Sequence, residues 1–255
     1  MQRRELLATA ALLGIPAYGC AAPRVQPVRV AAASDLQFAL VELAASHEKQ
    51  SGVPVQLNLG SSGNFARQIR QGLPADLFLS ADEAFVFSLA DAHLTRDRGA
   101  LYALGRIALY AGHGSPVPLD PRLEGLQTAW HQVARFAIAN PEHAPYGRAA
   151  QQALEKLGIW GKVRPKLVLA ENVSQAAQFV SSGAAQAGIT ALSLVLAPAV
   201  AEKGRHVVLP DSLHAPLRQR MVMLKGARSS ASGFYDFLQS APARAVLQRF
   251  GFTLP

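Results

Sequence analysis

Residues 60–82 read GSSGNFARQIRQGLPADLFLSAD, and the changes of character along this stretch decide the fold. A strand-like run, residues 53–59, leads into the small-residue turn Gly60-Ser61-Ser62-Gly63. Phe65, Ala66 and Ile69 then fall on one side of a short helix, with Arg67, Gln68 and Arg70 on the other. Gly72 stops the helix, Pro74 sets a turn, and Leu77-Phe78-Leu79 reads as a short buried strand. Two serines therefore stand where a strand hands over to a helix N-terminus. The first backbone N–H groups there have no intrahelical partner, and the helix dipole favours negative charge. Such a turn is a seat for an anion. A serine here serves equally as a plain N-cap, and the local sequence leaves both readings open.

The same unit recurs on either side. Residues 28–32 form an apolar strand, followed by Ser34 and Asp35 and a helix predicted over 37–51. Phe38, Val41, Ala44 and Ala45 are its expected inward face, with Gly52 as its stop. Ser80 and Glu83 have the spacing of a capping box for a helix whose core face is Phe85, Val86 and Leu89. This β-α-β-α-β-α order implies a parallel sheet covered on both faces, with ligands at the C-terminal ends of its strands.

Residues 101–111 are a long apolar segment read as the crossing into a second lobe. There a strand over 135–138 meets the breaker-rich turn NPEHAPYG, residues 140–147, and then a helix over 147–157. A strand over 166–170 is followed by Asn172 and Gln175, spaced to cap the next helix. A strand over 187–189 precedes a helix expected to start at Thr190-Ala191. Late strands at 207–209 and 221–224 and helices over 232–239 and 243–250 complete the chain. The expected fold is α/β, in two lobes that are each a mostly parallel sheet flanked by helices. The first lobe takes residues 23–105 with 213–255, and the second takes 106–212. Two linking segments make a hinge, and the ligand lies between the lobes.

Four turns then face the cleft: Ser34-Asp35, Ser61-Ser62, Pro145-Tyr146-Gly147 and Asn172-Val173. None supplies an inward cation. That composition suits a fully ionised oxyanion held by hydroxyls and backbone N–H groups at helix N-termini. Acceptor atoms near the anion are penalties, so a protonated anion gains less.

Residues 60–82, with AAASD at 31–35, NPEHAPYG at 140–147 and LVLAENV at 167–173, resemble the periplasmic molybdate-binding proteins of ABC transporters. In that family S-S-x-x-x-A-x-Q-I-x-x-G-x-P-A-D-x-F-x-S-A-D recurs, and order and spacing agree over nearly the whole chain after its N-terminus. The resemblance implies the periplasmic-binding-protein fold. It also implies binding of molybdate, with tungstate, and delivery to a membrane ABC permease by a monomer in the periplasm. It implies no cofactor and no catalytic residue. Carried over residue by residue, the oxyanion ligands are Ser34, Ser62, Tyr146 and Val173, the last two through their backbone. Many members carry a tyrosine just after the G-I-x of the last turn, where this chain has Ala191. Tyr146, where others have alanine, is then the expected source of a phenol.

The bulk numbers agree with a secreted binder. The chain has 255 residues, half of them hydrophobic, enough for a real core. Its net charge of +8 is spread singly rather than clustered with aromatics, which argues against nucleic-acid binding. Residues 1–22 read as a secretion signal: a charged start, an apolar run and small residues. Arg3-Arg4 resembles a twin-arginine export motif, and Ala17-Tyr18-Gly19-Cys20 a lipoprotein cleavage box through the only cysteine. Asp35 is expected to start a helix with its carboxylate turned out, and His143 to bond locally in its loop. Tyr102 and Tyr110 are expected to pack at the hinge. Two other functions stand beside molybdate binding. One is a binder of another oxyanion such as sulfate or phosphate. The other is a hydrolase using Ser34 or Ser62, for which the chain has no G-x-S-x-G elbow.

Overall fold

The computed structural model describes residues 25–255, so the expected signal, its paired arginines and Cys20 lie outside the described residues. β1 (Val28–Ala33) is VRVAAA, almost wholly buried, as a strand flanked by two others and covered on both faces must be. The chain then alternates through α1 (Gln37–Ser51), β2 (Val55–Gly60), α2 (Ser62–Arg70), β3 (Leu77–Ser80), α3 (Glu83–Asp91) and β4 (Ala100–Gly105). β5 (Ile107–Gly112) opens a second sheet. It leads to α4 (Glu124–Thr128), β6 (Phe136–Ala139), α5 (Pro145–Lys156), α6 (Trp160–Val163), β7 (Leu167–Ala170), α7 (Val173–Ser181) and β8 (Ala187–Ala191). The one-turn helices α8 (Leu192–Val195) and α9 (Pro198–Ala201) come before β9 (Gly204–Val208). β10 (Leu217–Met223), α10 (Ala231–Leu238) and α11 (Ala241–Arg249) return to the first sheet's side.

The two sheets share one plan. Their strand orders are β2-β1-β3-β10-β4 and β7-β6-β8-β5-β9. In each, three parallel strands carry the turns that face the cleft. A fourth strand arrives from the other lobe and runs antiparallel to both its neighbours: β10 in the first sheet, β5 in the second. The apolar run at 101–111 is therefore two strands in different sheets, broken at Arg106. Arg106 pairs at 3.5 Å with Asp211, which stands on the returning segment, so the two crossings are tied together.

Sidedness follows from the pleat. Leu77 and Leu79 of β3 face the layer of α1, α10 and α11, with Leu40, Leu43, Phe234 and Leu247. Phe78, between them, faces α2 and α3, with Phe65, Ile69, Val86 and Leu89.

Three expectations need correction. The inward face of α1 is Leu40, Leu43, Ala44 and His47, whereas Val41 is 55% exposed and Ala45 is also exposed. The true stripe passes through His47, whose polarity hides it in a hydropathy reading. Its ring packs on Phe234 and Phe237, and burial pushes its pKa down, favouring the neutral form. The cap of α3 is Asp82, accepting from the Ala84 N–H at 2.9 Å, not Ser80. Glu83 turns instead to Arg218 and Arg220 on β10. Thr190 and Ala191 finish β8, and the helix begins at Leu192.

One buried ion pair binds the first lobe's base. The Asp76 side chain is fully buried and accepts from the Arg29 N–H at 2.7 Å and from the Arg228 guanidinium. Burial works to raise its pKa, but Arg228 and the backbone donors win and hold it at about 2. Replacing Asp76 by Asn should cost about 2 kcal/mol of unfolding free energy at pH 7. A depressed carboxylate contributes above its ordinary pKa and ceases to contribute once protonated. Urea denaturation should therefore show the wild-type advantage fade as pH falls from 3.8 towards about 2.

Candidate functional site

Each carrier of the site is a turn between a parallel strand and the helix after it. α2 begins at Ser62 behind the extended Ser61, α5 at Pro145 behind the extended Ala144, and α7 at Val173 behind Asn172. Asn172 is a true N-cap, its Oδ1 accepting from the Gln175 N–H at 3.0 Å. Ser34 opens a single 3₁₀ turn between β1 and α1. The right-handed β-α crossovers bring these turns to the same edge of their sheets.

The four turns close on one small cavity. Ser34, Ser62, Tyr146 and Val173, the residues singled out from sequence, all line it, together with Asp35 and Ser61. Its volume is about 10 Å³, the scale of one water. Wider grooves exist, one of about 370 Å³ beside Arg29, Gln56 and Pro74, but no helix N-termini converge there. No Lys, Arg or His is among the lining residues. The positive potential comes from the first N–H groups of α2, α5 and α7 and from their dipoles.

The hydroxyls differ in what they have left to give. Ser62 Oγ accepts from the Ala81 N–H at 3.0 Å, and its own proton has no acceptor among the described residues. Ser34 Oγ donates across the cleft to Asn172 Oδ1 at 3.1 Å and accepts from the Ser174 N–H at 3.3 Å. A ligand competing for the Ser34 proton must displace that bond.

Two sequence expectations fail here. The Asp35 carboxylate is not turned out. The residue is 1% exposed, and Oδ2 accepts from Tyr146 Oη at 3.0 Å and Gln219 Nε2 at 2.6 Å. The Tyr146 phenol thus points to Asp35, and its single proton is already given, so it is no free donor for an anion. Gln219 also bonds Tyr146 Oη at 3.0 Å and accepts from Tyr102 Oη at 2.7 Å. Gly105 makes room for this network, since a Cβ there would stand 2.3 Å from Tyr146 Oη. Burial pushes the Asp35 carboxyl up to about 6 against the pull of Gln219 and Tyr146. Burial first, and then the Asp35 charge, lifts both phenols well above their ordinary range, which keeps them donors. Tyr102 is part of this network rather than packing alone. Tyr110 is a buried core residue bonded to the Val200 carbonyl.

His143 is not bonded only within its loop. Its Nδ1 hydrogen-bonds Ser61 Oγ at 3.0 Å and its carbonyl accepts from the Gly63 N–H at 2.9 Å, both across the cleft. Glu171 joins it at 3.7 Å and bonds Asn64, while Arg148 pairs with Asp82. The serine that meets a base is therefore Ser61 rather than Ser34 or Ser62. Glu171, too far for a hydrogen bond, does not orient that base. Among the described residues no group of three His, Cys, Asp or Glu could hold a metal ion.

Gln219 and Ser193, whose hydroxyl donates to the Asp35 carbonyl at 2.7 Å, were not singled out from sequence. Gln219 left a signal. In LRQRMVM it shares the alternating phase of Leu217 and Met221, which marks a polar side chain on the buried face.

Residues 28–253 match the family model described as bacterial extracellular solute-binding protein. The chain is 33% identical over 233 residues to the molybdate-binding protein ModA of Escherichia coli, covering 89% of each. It is 32% identical over 250 residues to that of Azotobacter vinelandii, covering 95% of each. The solved periplasmic molybdate-binding protein of Azotobacter vinelandii superposes with a TM-score of 0.82 at 31% identity. That match covers 89% of this chain and 99% of the other.

The contact at Gly63 is tight, since an added Cβ would stand 2.6 Å from the His143 carbonyl oxygen. Gly63→Ala should therefore hold the lobes apart without unfolding either one. Small-angle scattering should show a larger radius of gyration than wild type, with an unchanged circular dichroism spectrum.

Proposed function

Because the chain belongs to the bacterial extracellular solute-binding proteins, we propose that it captures molybdate between its lobes and hands it to an ABC permease. Tungstate, of the same charge and shape, is a second ligand in this reading. The observation that carries it is the convergence of three helix N-termini and the Ser62 hydroxyl on a small cavity lined by no cationic side chain. A dianion entering the open cleft meets Ser34 and Ser62 on the lobe of 23–105 and 213–255. Closure about the crossings at Arg106 and near Asp211 then brings the backbone N–H groups of Tyr146 and Val173 from the lobe of 106–212. Neutral donors replace the ion's hydration shell without the cost of burying a counter-ion. The cross-cleft bonds of Ser61, Gly63 and Asn64 hold the closed form until docking on the permease opens it.

On this reading the protein performs no catalysis. It is exported through its N-terminal segment to the periplasm and works as a monomer. Among the described residues no helix is long and apolar enough to cross a membrane. Sulfate carries the same charge on a smaller tetrahedron and is the competing ligand to exclude.

Isothermal titration with the four oxyanions tests this. Molybdate and tungstate should bind about 100-fold or more tighter than sulfate and phosphate, a difference near 3 kcal/mol. Ser62→Ala should weaken molybdate by about tenfold or more, the loss of one hydrogen bond to a charged group. Equal affinity for sulfate and molybdate would contradict the reading.

A further inference from the structure

Asp35 is the one carboxyl in the cavity wall, and a site for a dianion has no evident use for it. Its two oxygens are unequal. Oδ2 takes both donors, from Tyr146 and Gln219, while Oδ1 is buried with no hydrogen-bond partner. An ionised carboxylate with an unfilled oxygen, beside a doubly charged ligand, faces repulsion that backbone N–H groups soften but no cationic side chain in the cavity wall offsets. The groups that touch it are neutral, and the arginines of the same elements, Arg148 on α5 and Arg218 and Arg220 on β10, pair with Asp82 and Glu83 instead. α5 presents Tyr146, β4 presents Tyr102, β10 presents Gln219 and α8 presents Ser193. The sequences of α7 and α8, and the near turn of α1 at residues 37–40, contain no titratable side chain.

Protonation at Oδ1 removes the charge conflict, and an oxyanion in the cavity then supplies the acceptor that Oδ1 lacks. Oδ2 remains an acceptor for Tyr146 and Gln219, the negative charge disappears, and the unpartnered oxygen becomes a donor. We propose that Asp35 is a specificity-determining residue that carries a proton, so that the closed protein takes up one proton from solvent with each oxyanion it binds. The balance is simple: carboxylate plus one proton gives the neutral acid, and the dianion enters unchanged. Burial already brings the group to about 6 in the closed form, and a dianion in the cavity raises it further. The sign is fixed by linkage. Opening the cleft returns Asp35 to water and to an ordinary carboxyl, so closure and binding are favoured at low pH and weaken as pH rises. An ionised Asp35 would do the reverse chemistry, accepting a proton from an anion that has one, and would favour hydrogen phosphate over molybdate.

The inference rests on the oxyanion reading, and one set of titrations separates the two. Molybdate is titrated into wild type and Asp35→Asn at pH 7, in two buffers of different ionisation enthalpy, and affinities are taken from pH 6 to 8. Wild type should take up a large fraction of one proton per molybdate. Its affinity should fall with pH by up to about tenfold per unit. Asp35→Asn keeps an acceptor for Tyr146 and Gln219 and should show neither effect. Should that variant fail to fold, infrared difference spectra of wild type should still show the carbonyl band of a protonated carboxyl on binding. Molybdate binding without proton uptake, equal uptake in the variant, absence of that band, or hydrogen phosphate binding as tightly as molybdate would each overturn the inference. The absence of any oxyanion binding would remove the oxyanion reading and the inference with it.

Discussion

A buried dianion must recover from the protein every hydrogen bond it gives up in water, and under the proposed function this requirement organises the molecule. A single turn cannot meet it, because one helix N-terminus points its few N–H groups from one direction. Placing two such turns on each of two sheets lets donors arrive from opposite sides, and the repeated plan of three parallel strands supplies the turns in matching positions. The crossing strands β5 and β10 then sit inside the partner sheets, so neither lobe is complete without chain from the other side of the hinge.

Neutrality is the second half of that requirement. A lysine or arginine in the cleft would bind many anions and release them poorly, whereas hydroxyls and amides select by size and by the absence of a proton on the ligand. Asp35 is the exception in the wall, and its surroundings show how it is accommodated: the Tyr146 phenol and the Gln219 amide placed as donors, the Tyr102 phenol bonded behind Gln219, a glycine at 105 leaving room for Tyr146, and no cation in the cavity wall. Asp76 shows the opposite treatment of a buried carboxyl. With Arg228 beside it, that group stays charged and serves only to hold the base of the first lobe.

Much of this was legible in the sequence, for a physical reason. Strand, small-residue turn and helix follow one another locally, so Ser34, Ser62, Tyr146 and Val173 could each be placed at a helix start before any tertiary contact was known. What pattern could not carry was side-chain direction across long separations. The Asp35 carboxylate is turned inward by Gln219, 184 residues away, and the Tyr146 phenol is claimed by the same pair. His143 finds Ser61 only because two lobes meet. Within α1 the failure was of another kind: a histidine doing the packing of an aromatic broke the apolar stripe and shifted the apparent inner face to Val41.

Under the proposed function a four-oxygen dianion is held by uncharged donors from both lobes at one point. A crystal grown with tungstate locates the ion directly through its anomalous scattering. A single strong peak is expected within hydrogen-bonding reach, through the oxygens, of Ser34, Ser62 and the backbone N–H groups of Tyr146 and Val173, with no basic side chain touching it. A peak elsewhere, or an ion bound by lysine or arginine, would contradict it.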